Sequence, residues 1–397
     1  MRASVSARLG ADFHKLWTAS AVSNLGDGFA AVAGPLLVAS LTSDPVAIAA
    51  AGLAQQLPWL LFALLSGAVS DRLDRRRLIV VVDVLRAVLV GGLAIAIATG
   101  TVSLVLLYCT LFLMGIGETL ADTAVAGRLP AVVPADLLPA ANARLGFTFS
   151  VINMWLAKPV GGWLFALSAA VPFGANAATF VLAAMIAATM RPHSPPPPAE
   201  STGLWRDIRE GVEWLWRHRR LRALILTMGV MQIPFCAAFA TFVLYARDRL
   251  GLAEVGFGLL LTAHAAGALA GSALAARLER RLGLTLLLRA GLIAETATHL
   301  VLALTTNAWV AGATLAAFSV HAAIWGVVVA TVRQREVPER LQGRIVSVHN
   351  LLDVTGVAAG TLLGGFLAHW FGPAGPFWIG FATMCVISTC AWRHIRY

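Results

Sequence analysis

Long apolar stretches separated by short polar connections dominate the pattern along this chain. Twelve of these stretches reach the roughly 20 residues that an α-helix needs to cross the hydrocarbon core of a bilayer. They lie at about residues 13–40, 46–69, 77–99, 102–126, 138–166, 168–190, 221–246, 254–276, 284–305, 307–332, 343–369 and 372–392. The pattern therefore predicts an all-α membrane protein with twelve transmembrane helices.

The longest polar interruption divides the predicted spans into two groups of six. It covers residues 191–220 and opens with a proline run from Pro195 to Pro198. After that run, apolar residues recur every three to four positions opposite charged ones, as in a helix lying on a membrane surface. We therefore predict an N-terminal six-helix bundle at 1–190, a cytosolic linker with an amphipathic helix at 191–220, and a C-terminal six-helix bundle at 221–397.

The composition excludes several classes of protein. The chain is 58% hydrophobic and 13% charged with a mean hydropathy of +0.78, whereas soluble domains carry about 25% charged residues. Lys15 and Lys158 are the two lysines, and the Gly-Lys pair of a phosphate-binding P-loop does not occur, so the chain is not an ATP-driven pump. No H-E-x-x-H or G-x-S-x-G pattern occurs in a span, and the four cysteines lack metal-ligand spacing, so we predict neither an enzyme nor a metal or cofactor site.

The distribution of basic residues predicts the orientation in the membrane. They gather at the two termini and at every second connection between spans, and cytosolic connections are the ones enriched in Lys and Arg. The exceptions are Arg86, Arg144, Lys158 and Arg289 within spans and Arg247 and Arg249 on the opposite side. Both termini are therefore expected in the cytosol, and the net charge of +10 is expected to face anionic lipid rather than nucleic acid.

The two halves of the sequence resemble each other at an offset of about 204 residues. Gly67 is matched by Gly271, each followed by an arginine pair, and residues 133–134 (Val-Pro) are matched by 337–338. Ordered matches of this kind indicate a duplicated six-helix unit. Pseudo-symmetric halves with a binding site near their interface are typical of secondary transporters.

The connection between spans 2 and 3 reads Gly67-Ala-Val-Ser-Asp71-Arg72-Leu73-Asp74-Arg75-Arg76-Arg77. It resembles the G-x-x-x-D-R-x-G-R-R loop of the major facilitator superfamily, whose fold is two bundles of six helices. Asp74 stands where the pattern has glycine, and because Asp tolerates left-handed backbone we expect the turn to survive. The resemblance implies a gating role for Gly67, Asp71, Arg72, Arg75 and Arg76. Asp122 lies near the cytosolic end of span 4, close to Arg128, and we expect it to form a static or gating ion pair with the basic loops.

Within that superfamily the chain resembles the drug:proton antiporter branch that includes macrolide and tetracycline exporters and the enterobactin exporter. The residues that carry this resemblance are Gly26-Asp27, Leu129-Pro130, Val133-Pro134, Asn142, the linker helix from Glu210 to Arg222, and Gln342-Gly343-Arg344. The sequence departs from the branch in having no Arg in span 4, and in reducing the span 5 motif to Lys158-Pro-Val-Gly-Gly. The resemblance implies coupling to protons.

Three carboxyl groups inside the predicted spans are candidate proton carriers, because an ionisable side chain within a bilayer is costly and is a functional candidate by default. Asp27 comes first, since span 1 lines the central cavity in the superfamily; the alternative is a structural carboxylate held by a neighbouring helix. Glu118 in span 4 is second and could bind a proton or a cationic substrate. Asp353 in span 11, near His349, is third.

Other ionisable residues within spans are expected to form structural pairs. Asp83 and Arg86 are three residues apart, and Glu295 and His299 are four apart, so each pair shares one helix face. Lys158 is expected to have an acidic partner.

Aromatic and polar residues near the middle of the cavity-lining spans are candidates for binding substrate. A largely apolar cavity with few polar groups suits an amphipathic organic molecule, and the alternative is plain helix packing. The candidates are Asn24, Phe29, Trp155, Gln232, Phe235, Phe239, His321 and Trp325.

The sequence thus predicts a secondary active transporter that exports a hydrophobic or amphipathic small molecule, a drug or natural product, by proton antiport with alternating access. Two alternatives stay open: a siderophore or nutrient transporter on the same fold, and a non-transporting membrane receptor or scaffold. The expected partners are the substrate, protons and membrane lipids. We expect a monomer that crosses the bacterial plasma (inner) membrane several times.

Overall fold

A computed structural model of the chain describes residues 9–191, 204–338 and 341–392, and within them the chain is helical almost throughout. The helices are α1 (Ala11–Leu41), α2 (Pro45–Arg72), α3 (Arg75–Ala98), α4 (Leu104–Val132), α5 (Leu138–Thr148), α6 (Ala157–Leu167), α7 (Val171–Ala188), α8 (Leu204–Arg217), α9 (Arg219–Ala240), α10 (Glu254–Leu282), α11 (Leu284–Leu304), α12 (Ala308–Glu336), α13 (Gln342–Phe371) and α14 (Gly375–Trp392). A 3₁₀ turn, Ala135–Leu137, precedes α5, and the segments Phe242–Leu244 and Tyr245–Arg249 follow α9.

The helices coincide with the predicted membrane spans. Within the described ranges, eleven helices are long and apolar enough to cross a membrane. The remaining predicted span, 138–166, is also helical, but a π-helical segment, Phe149–Leu156, divides it into α5 and α6. Two helices continue six residues past their predicted spans, α4 to Val132 and α10 to Leu282, because a helix can extend into the aqueous interface after its apolar stretch has ended.

One compact unit comprises Met1–Leu41, Ala54–Ala199 and Glu254–Gly258, apart from the undescribed residues within those bounds. In this unit α1 packs against α6 and α7, and α3 packs against α4 and α7. Apolar side chains from these helices form its buried core, which includes Phe13, Leu16, Ile79, Val82, Ala124, Leu129, Ala183 and Ala187.

The other compact unit comprises Thr42–Leu53, Glu200–Ala253 and Leu259–Tyr397, again without the undescribed residues. In it α9 packs against α13 and α14, and α11 packs against α12 and α14. Its buried core includes Leu221, Leu224, Ile225, Leu288, Leu292, Trp325, Val328, Val332, Ile345 and Met384.

The contacts between helices depend on glycines that allow two backbones to approach closely, as is common in membrane helix pairs. Three glycines of α13 follow one another every four residues and lie against backbone carbonyls of α9. A Cβ atom on Gly356 would lie 2.6 Å from Gly229 O, and one on Gly360 would lie 2.5 Å from Ile233 O. One on Gly364 would collide with Ala237.

The first unit contains the corresponding contact, as the internal repeat predicts. Gly161 of α6 packs against α1, where an added Cβ atom would lie 2.9 Å from Phe29 O. Gly161 and Gly364 are separated by nearly the 204-residue offset of the repeat, and each of these glycines lies against the first membrane helix of its own half. The duplication therefore preserves a packing contact as well as a sequence match.

The turn before α3 differs from the sequence prediction. Asp74 has an extended backbone, with φ −62° and ψ 110°, and its carboxylate accepts a hydrogen bond of 2.9 Å from the backbone N–H of Arg76. The expectation of a left-handed residue at this position is wrong. Asp74 instead caps the N-terminus of α3, a role for which Asp is among the preferred residues.

Candidate functional site

The candidate site is a cavity of about 300 Å³ within the first unit, and it is lined mainly by α1, α3, α4 and the α5–α6 region. Five ionisable side chains line it: Asp27, Asp83, Arg86, Glu118 and Asp122. Four carboxyl groups therefore surround one guanidinium within a single membrane-embedded unit. Charge of this kind is rare in membrane helices and marks functional positions.

Close helix packing on both sides of α1 fixes the position of Asp27. Gly28 lies against the α5–α6 region, where a Cβ atom would stand 2.7 Å from Asn153 O, and a Cβ atom on Gly26 would collide with Asn176 and Thr179 of α7. The Asn153 side chain also donates a hydrogen bond of 3.0 Å to the carbonyl of Asn24. Since neither glycine can accept a side chain without displacing a neighbour, Asp27 is held at a defined depth in the unit.

Arg86 of α3 is the cationic centre of the cavity. Its Nη2 lies 2.9 Å from Asp27 Oδ1, and its Nη1 lies 3.9 Å from Asp83 Oδ1. The guanidinium also stands over the ring of Phe180, 4.1 Å from the centroid, and only 3% of the residue is exposed. A desolvated cation–π contact of this type adds to the charge pairing. The sequence prediction of a purely intrahelical Asp83–Arg86 pair is thus incomplete, because the shorter contact is made to Asp27.

Glu118 and Asp122 project from α4 into the same cavity, one helical turn apart. Neither forms an ion pair with another described residue. The expected ion pair of Asp122 with the basic loops is therefore absent among the described residues, and nearby Arg128 donates to the carbonyl of Arg191 at 2.5 Å. Asp122 lies six residues before Arg128, which is about 1.7 helical turns, so the two side chains leave different faces of α4.

A π-helical segment contributes the remaining wall. Phe149 and Asn153 belong to Phe149–Leu156, and both line the cavity. π-helical turns are uncommon and frequently occur at functional sites. Asn24, a predicted substrate-binding residue, also lines the cavity, where its amide donates a hydrogen bond of 2.7 Å to the carbonyl of Ser20.

The predicted gating loop is described in part. The surroundings of Gly67 and the side chains of Asp71 and Arg72 lie outside the described part of the structure, although the backbone of α2 passes through these positions. Arg75 Nη1 donates a hydrogen bond of 2.7 Å to the carbonyl of Gly127 in α4, and Arg76 donates one to the carbonyl of Ala188, the last residue of α7. These two arginines therefore tie the start of α3 to the ends of two neighbouring helices, where cations are favourable.

The other predicted substrate-binding residues fall into two groups. Phe29 is 7% exposed and lies in the packed contact of α1 with α6, and the side chain of Trp155 lies outside the described residues. The rest belong to the second unit, where Phe235 stacks on Phe318 with centroids 4.9 Å apart and packs at a tilt against Phe239 with centroids 4.5 Å apart. The space among these rings is about 10 Å³, so in this structure the rings pack against one another. Gln232 lies against Gly356, with its Cβ 2.9 Å from the position of a Cβ there.

A second buried polar group links α11 and α12. Glu295 is 3% exposed, and its Oε2 lies 3.1 Å from His321 Nε2, while its Oε1 lies 4.0 Å from His299 Nδ1. Trp325 lies one turn beyond His321, and its ring packs on Gly291. The sequence predicted only the Glu295–His299 pair. Hydropathy and spacing gave no means of finding His321 as a partner, since it lies on another helix.

Asp353 and Lys158 have different surroundings. Asp353 Oδ2 lies 3.4 Å from His349 Nε2 on the next turn of α13, and its Oδ1 is buried without a hydrogen-bond partner. Lys158 was expected to have an acidic partner, but in the part of the chain that the structure describes no carboxylate lies within ion-pair distance of it.

Comparisons with known proteins bear on the whole chain. Residues 5–394 match the family described as "Transmembrane secretion effector". Two curated relatives, uncharacterized MFS-type transporters of Mycobacterium bovis and Mycobacterium tuberculosis, are each 32% identical to this chain over 158 residues. That alignment covers 36% of this chain and 36% of each relative.

Solved structures share the fold over nearly the full length. A nucleoside transporter matches with a TM-score of 0.77 at 11% identity, covering 98% of this chain and 100% of the other. A bacterial homologue of the iron transporter ferroportin, in an inward-facing state, matches at 0.76 and 18% identity over 97% and 99%. A bacterial homologue of the lysosomal transporter Spinster matches at 0.71 and 15% identity over 97% of each chain. At these identities the likeness shows the fold alone.

Proposed function

The chain belongs to the transmembrane secretion effector family of major facilitator superfamily transporters, and on that premise we propose that it exports an amphipathic organic cation in exchange for protons. It is a membrane transporter rather than an enzyme, and its fold of membrane helices agrees with the sequence prediction. Its substrate, its direction and its coupling ion belong to the proposal.

The observation that carries the proposal is the excess of carboxyl groups in the cavity of the first unit. Arg86 lies within 4 Å of Asp27 and Asp83, whereas Glu118 and Asp122 have no cationic partner among the described residues. Unpaired carboxylates are costly in a membrane interior, and a bound proton or a bound cation removes that cost. The cavity is thus suited to bind either of these, but not both at the same carboxyl group.

Such competition is the basis of antiport. A carboxyl group that must release its proton before it binds a cationic substrate couples the two movements, provided that the site opens to each side in turn. Asp27 and Glu118 are the residues we assign to this role. Asp122 and Asp83 lie in the same cavity and adjust its charge.

The chemistry of the cavity also narrows the substrate class. The sequence predicted a largely apolar and aromatic wall, but the described cavity has one aromatic side chain, Phe149, among five ionisable ones. This balance favours an amphipathic molecule that carries positive charge over a neutral hydrophobic one. Support for export comes from the resemblance to exporters of the drug:proton branch and from the word secretion in the family description.

Proton release on substrate binding tests the proposal. Ethidium, an amphipathic cation, would be added to the purified protein in unbuffered detergent solution with a pH-sensitive dye, and ethidium binding would be measured in parallel. We expect wild type to release protons as ethidium binds, and Glu118→Gln to release fewer without losing stability, because Glu118 has no ion pair to break. Asp27→Asn should bind ethidium, but an imposed proton gradient should no longer drive ethidium accumulation in proteoliposomes.

The matched control is Asp248→Asn, which changes an exposed aspartate outside the cavity. It should behave as wild type in both assays. If Asp27→Asn and Glu118→Gln each release as many protons as wild type, neither residue is the proton carrier. Asp353 then remains as the carboxylate candidate. Ethidium binding without any proton release in wild type would contradict proton antiport itself.

A further inference from the structure

A groove of about 690 Å³ runs between α9 and α14 within the second unit, whereas the acidic cavity belongs to the first. Its walls come from one face of each helix, since the lining positions recur at three-to-four-residue spacing along both. The lining residues are Arg219, Arg222, Ala223, Leu226, Thr227 and Val230 of α9, and Val386, Ile387, Cys390 and Ala391 of α14.

Two arginines lie at one end of this groove. Arg219 is the first residue of α9 and is exposed, and Arg222 follows one turn later. The guanidinium of Arg222 is held in place by a hydrogen bond of 2.7 Å from its Nη1 to the carbonyl of Trp216 and by the Trp216 ring, whose centroid is 5.1 Å away. No described carboxylate pairs with either arginine, so their remaining N–H donors are available to an anion.

The rest of the groove is almost entirely apolar. From Arg222 to Val230 the wall of α9 extends about 12 Å along the helix axis, and Val386 and Ile387 face it from α14. Along α9 the wall beyond Arg222 is formed by Ala223, Leu226, Thr227 and Val230. A ligand for the whole groove therefore needs an anionic end and a hydrocarbon chain.

The depth of the charged end of the groove in the membrane agrees with an anionic headgroup at that end. Arg219 begins one candidate membrane span and Trp392 ends another, so the charged end of the groove lies where both helices leave the hydrocarbon core. Trp216, which is 61% exposed, lies at the same end, and exposed Trp is typical of the headgroup region. The predicted orientation places this end at the cytosolic leaflet, where lipid headgroups are anionic.

We propose that this groove is a binding site for one anionic phospholipid. The phosphate lies between Arg219 and Arg222, and one acyl chain lies along the apolar wall formed by Leu226, Val230 and Val386. The site is separate from the acidic cavity, and its existence does not depend on the substrate or the coupling ion of transport.

Native mass spectrometry of the full-length purified protein tests the proposal. The protein in detergent would be titrated with phosphatidylglycerol and, in parallel, with phosphatidylcholine carrying the same acyl chains. We expect wild type to retain phosphatidylglycerol in preference to phosphatidylcholine. In R219Q/R222Q the affinity for phosphatidylglycerol should fall by about thirtyfold, as expected for two basic side chains at a membrane surface.

Matched variants separate charge, shape and folding. R220Q removes a neighbouring exposed arginine that does not line the groove, and R219K/R222K keeps both charges, so each should bind as wild type. R219Q alone should weaken binding without disturbing the hydrogen bond from Arg222 to Trp216. Ala223→Trp fills the groove and should also weaken binding, whereas Ile293→Trp, at an exposed apolar position of α11 outside the groove, should not.

Three results would overturn the assignment. Equal affinity of wild type for the two lipids would exclude recognition of the headgroup. Unchanged phosphatidylglycerol binding in R219Q and R219Q/R222Q, or in Ala223→Trp, would place the lipid elsewhere. Competition by glycerol phosphate at the concentration at which the lipid binds would show an anion site to which the acyl chain contributes nothing.

Discussion

Arg86 has a carboxylate three residues away on its own helix, yet its closest charge partner is Asp27 on another helix. The sequence placed both residues inside spans and gave the helix face of each. It could not show that these faces meet, because helical periodicity fixes direction within one helix and says nothing about which helix is adjacent. The same limit explains why the Glu295–His321 contact and the turn of Asp122 towards the cavity were missed.

A double-mutant cycle tests the Arg86–Asp27 contact. Arg86→Gln and Asp27→Asn should each lower the free energy of unfolding, because each leaves a buried charge without its partner. Together they should cost less than the sum, with a coupling energy of about 1–3 kcal/mol. The measurement is unfolding by sodium dodecyl sulfate in bicelles for the two single variants and the double variant.

The control cycle uses Asp83→Asn with Arg86→Gln. Its coupling should be smaller than the Asp27 coupling, because Asp83 Oδ1 lies 3.9 Å from Arg86 Nη1 rather than 2.9 Å from Nη2. A larger coupling for Asp83 would show that the intrahelical pair dominates and would contradict the geometry of the cavity.

At the scale of single elements, hydropathy predicted where the helices lie but not their local irregularities. Residues 138–166 are predominantly apolar, so hydropathy predicted one span, whereas the structure has a π-helical segment in its middle. That departure brings Phe149 and Asn153 to the cavity wall. It depends on packing against neighbouring helices, which an apolar stretch read by itself does not contain.

The glycine contact between α13 and α9 yields a prediction at this scale. Gly360→Ala should lower the free energy of unfolding by about 1–3 kcal/mol, as overpacking does, because the new Cβ atom would lie 2.5 Å from Ile233 O and 2.9 Å from Cys236 Cβ. Gly92→Ala is the control, since nothing lies within 4 Å of its Cβ position. Unfolding in bicelles would compare the two.

Gly92→Ala should leave stability unchanged or raise it by up to about 1 kcal/mol, because alanine is the better helix former. Equal losses in the two variants would mean that helix propensity and not backbone approach accounts for the effect at Gly360.

At the scale of the whole molecule, the sequence predicted the class of fold well. The number and order of spans, the loop motif and the internal repeat all pointed to two related six-helix halves, and the family match and the solved structures confirm the fold. These features are spread along the entire chain and need no knowledge of side-chain contacts. The substrate could not be predicted in the same way, because it depends on a few side chains that converge from distant parts of the sequence.

Cysteine labelling tests the predicted orientation. In a variant whose native cysteines are replaced, single cysteines would be introduced at exposed positions between helices, at Ser43 and Ser168 on one predicted side and at Leu73 and Pro338 on the other. Because basic residues gather at the second set of connections, an impermeant thiol reagent added to intact cells should label the first pair and not the second. The native cysteines to be replaced are Cys109, Cys236, Cys385 and Cys390.

Lysed cells provide the control, since all four positions should then react. Labelling of Leu73→Cys or Pro338→Cys from outside intact cells would reverse the orientation, and with it the assignment of the arginine end of the lipid groove to the cytosolic leaflet.

The excess of carboxyl groups around Arg86 also has an electrical consequence. When one proton is exchanged for one monovalent cation at these carboxyl groups, the total charge carried through the membrane in one full cycle is zero. A membrane potential does about 2.3 kcal/mol of work for each charge moved through 100 mV, and here it would do none. A cell that lost its voltage but kept its pH difference would still drive the transporter at full strength.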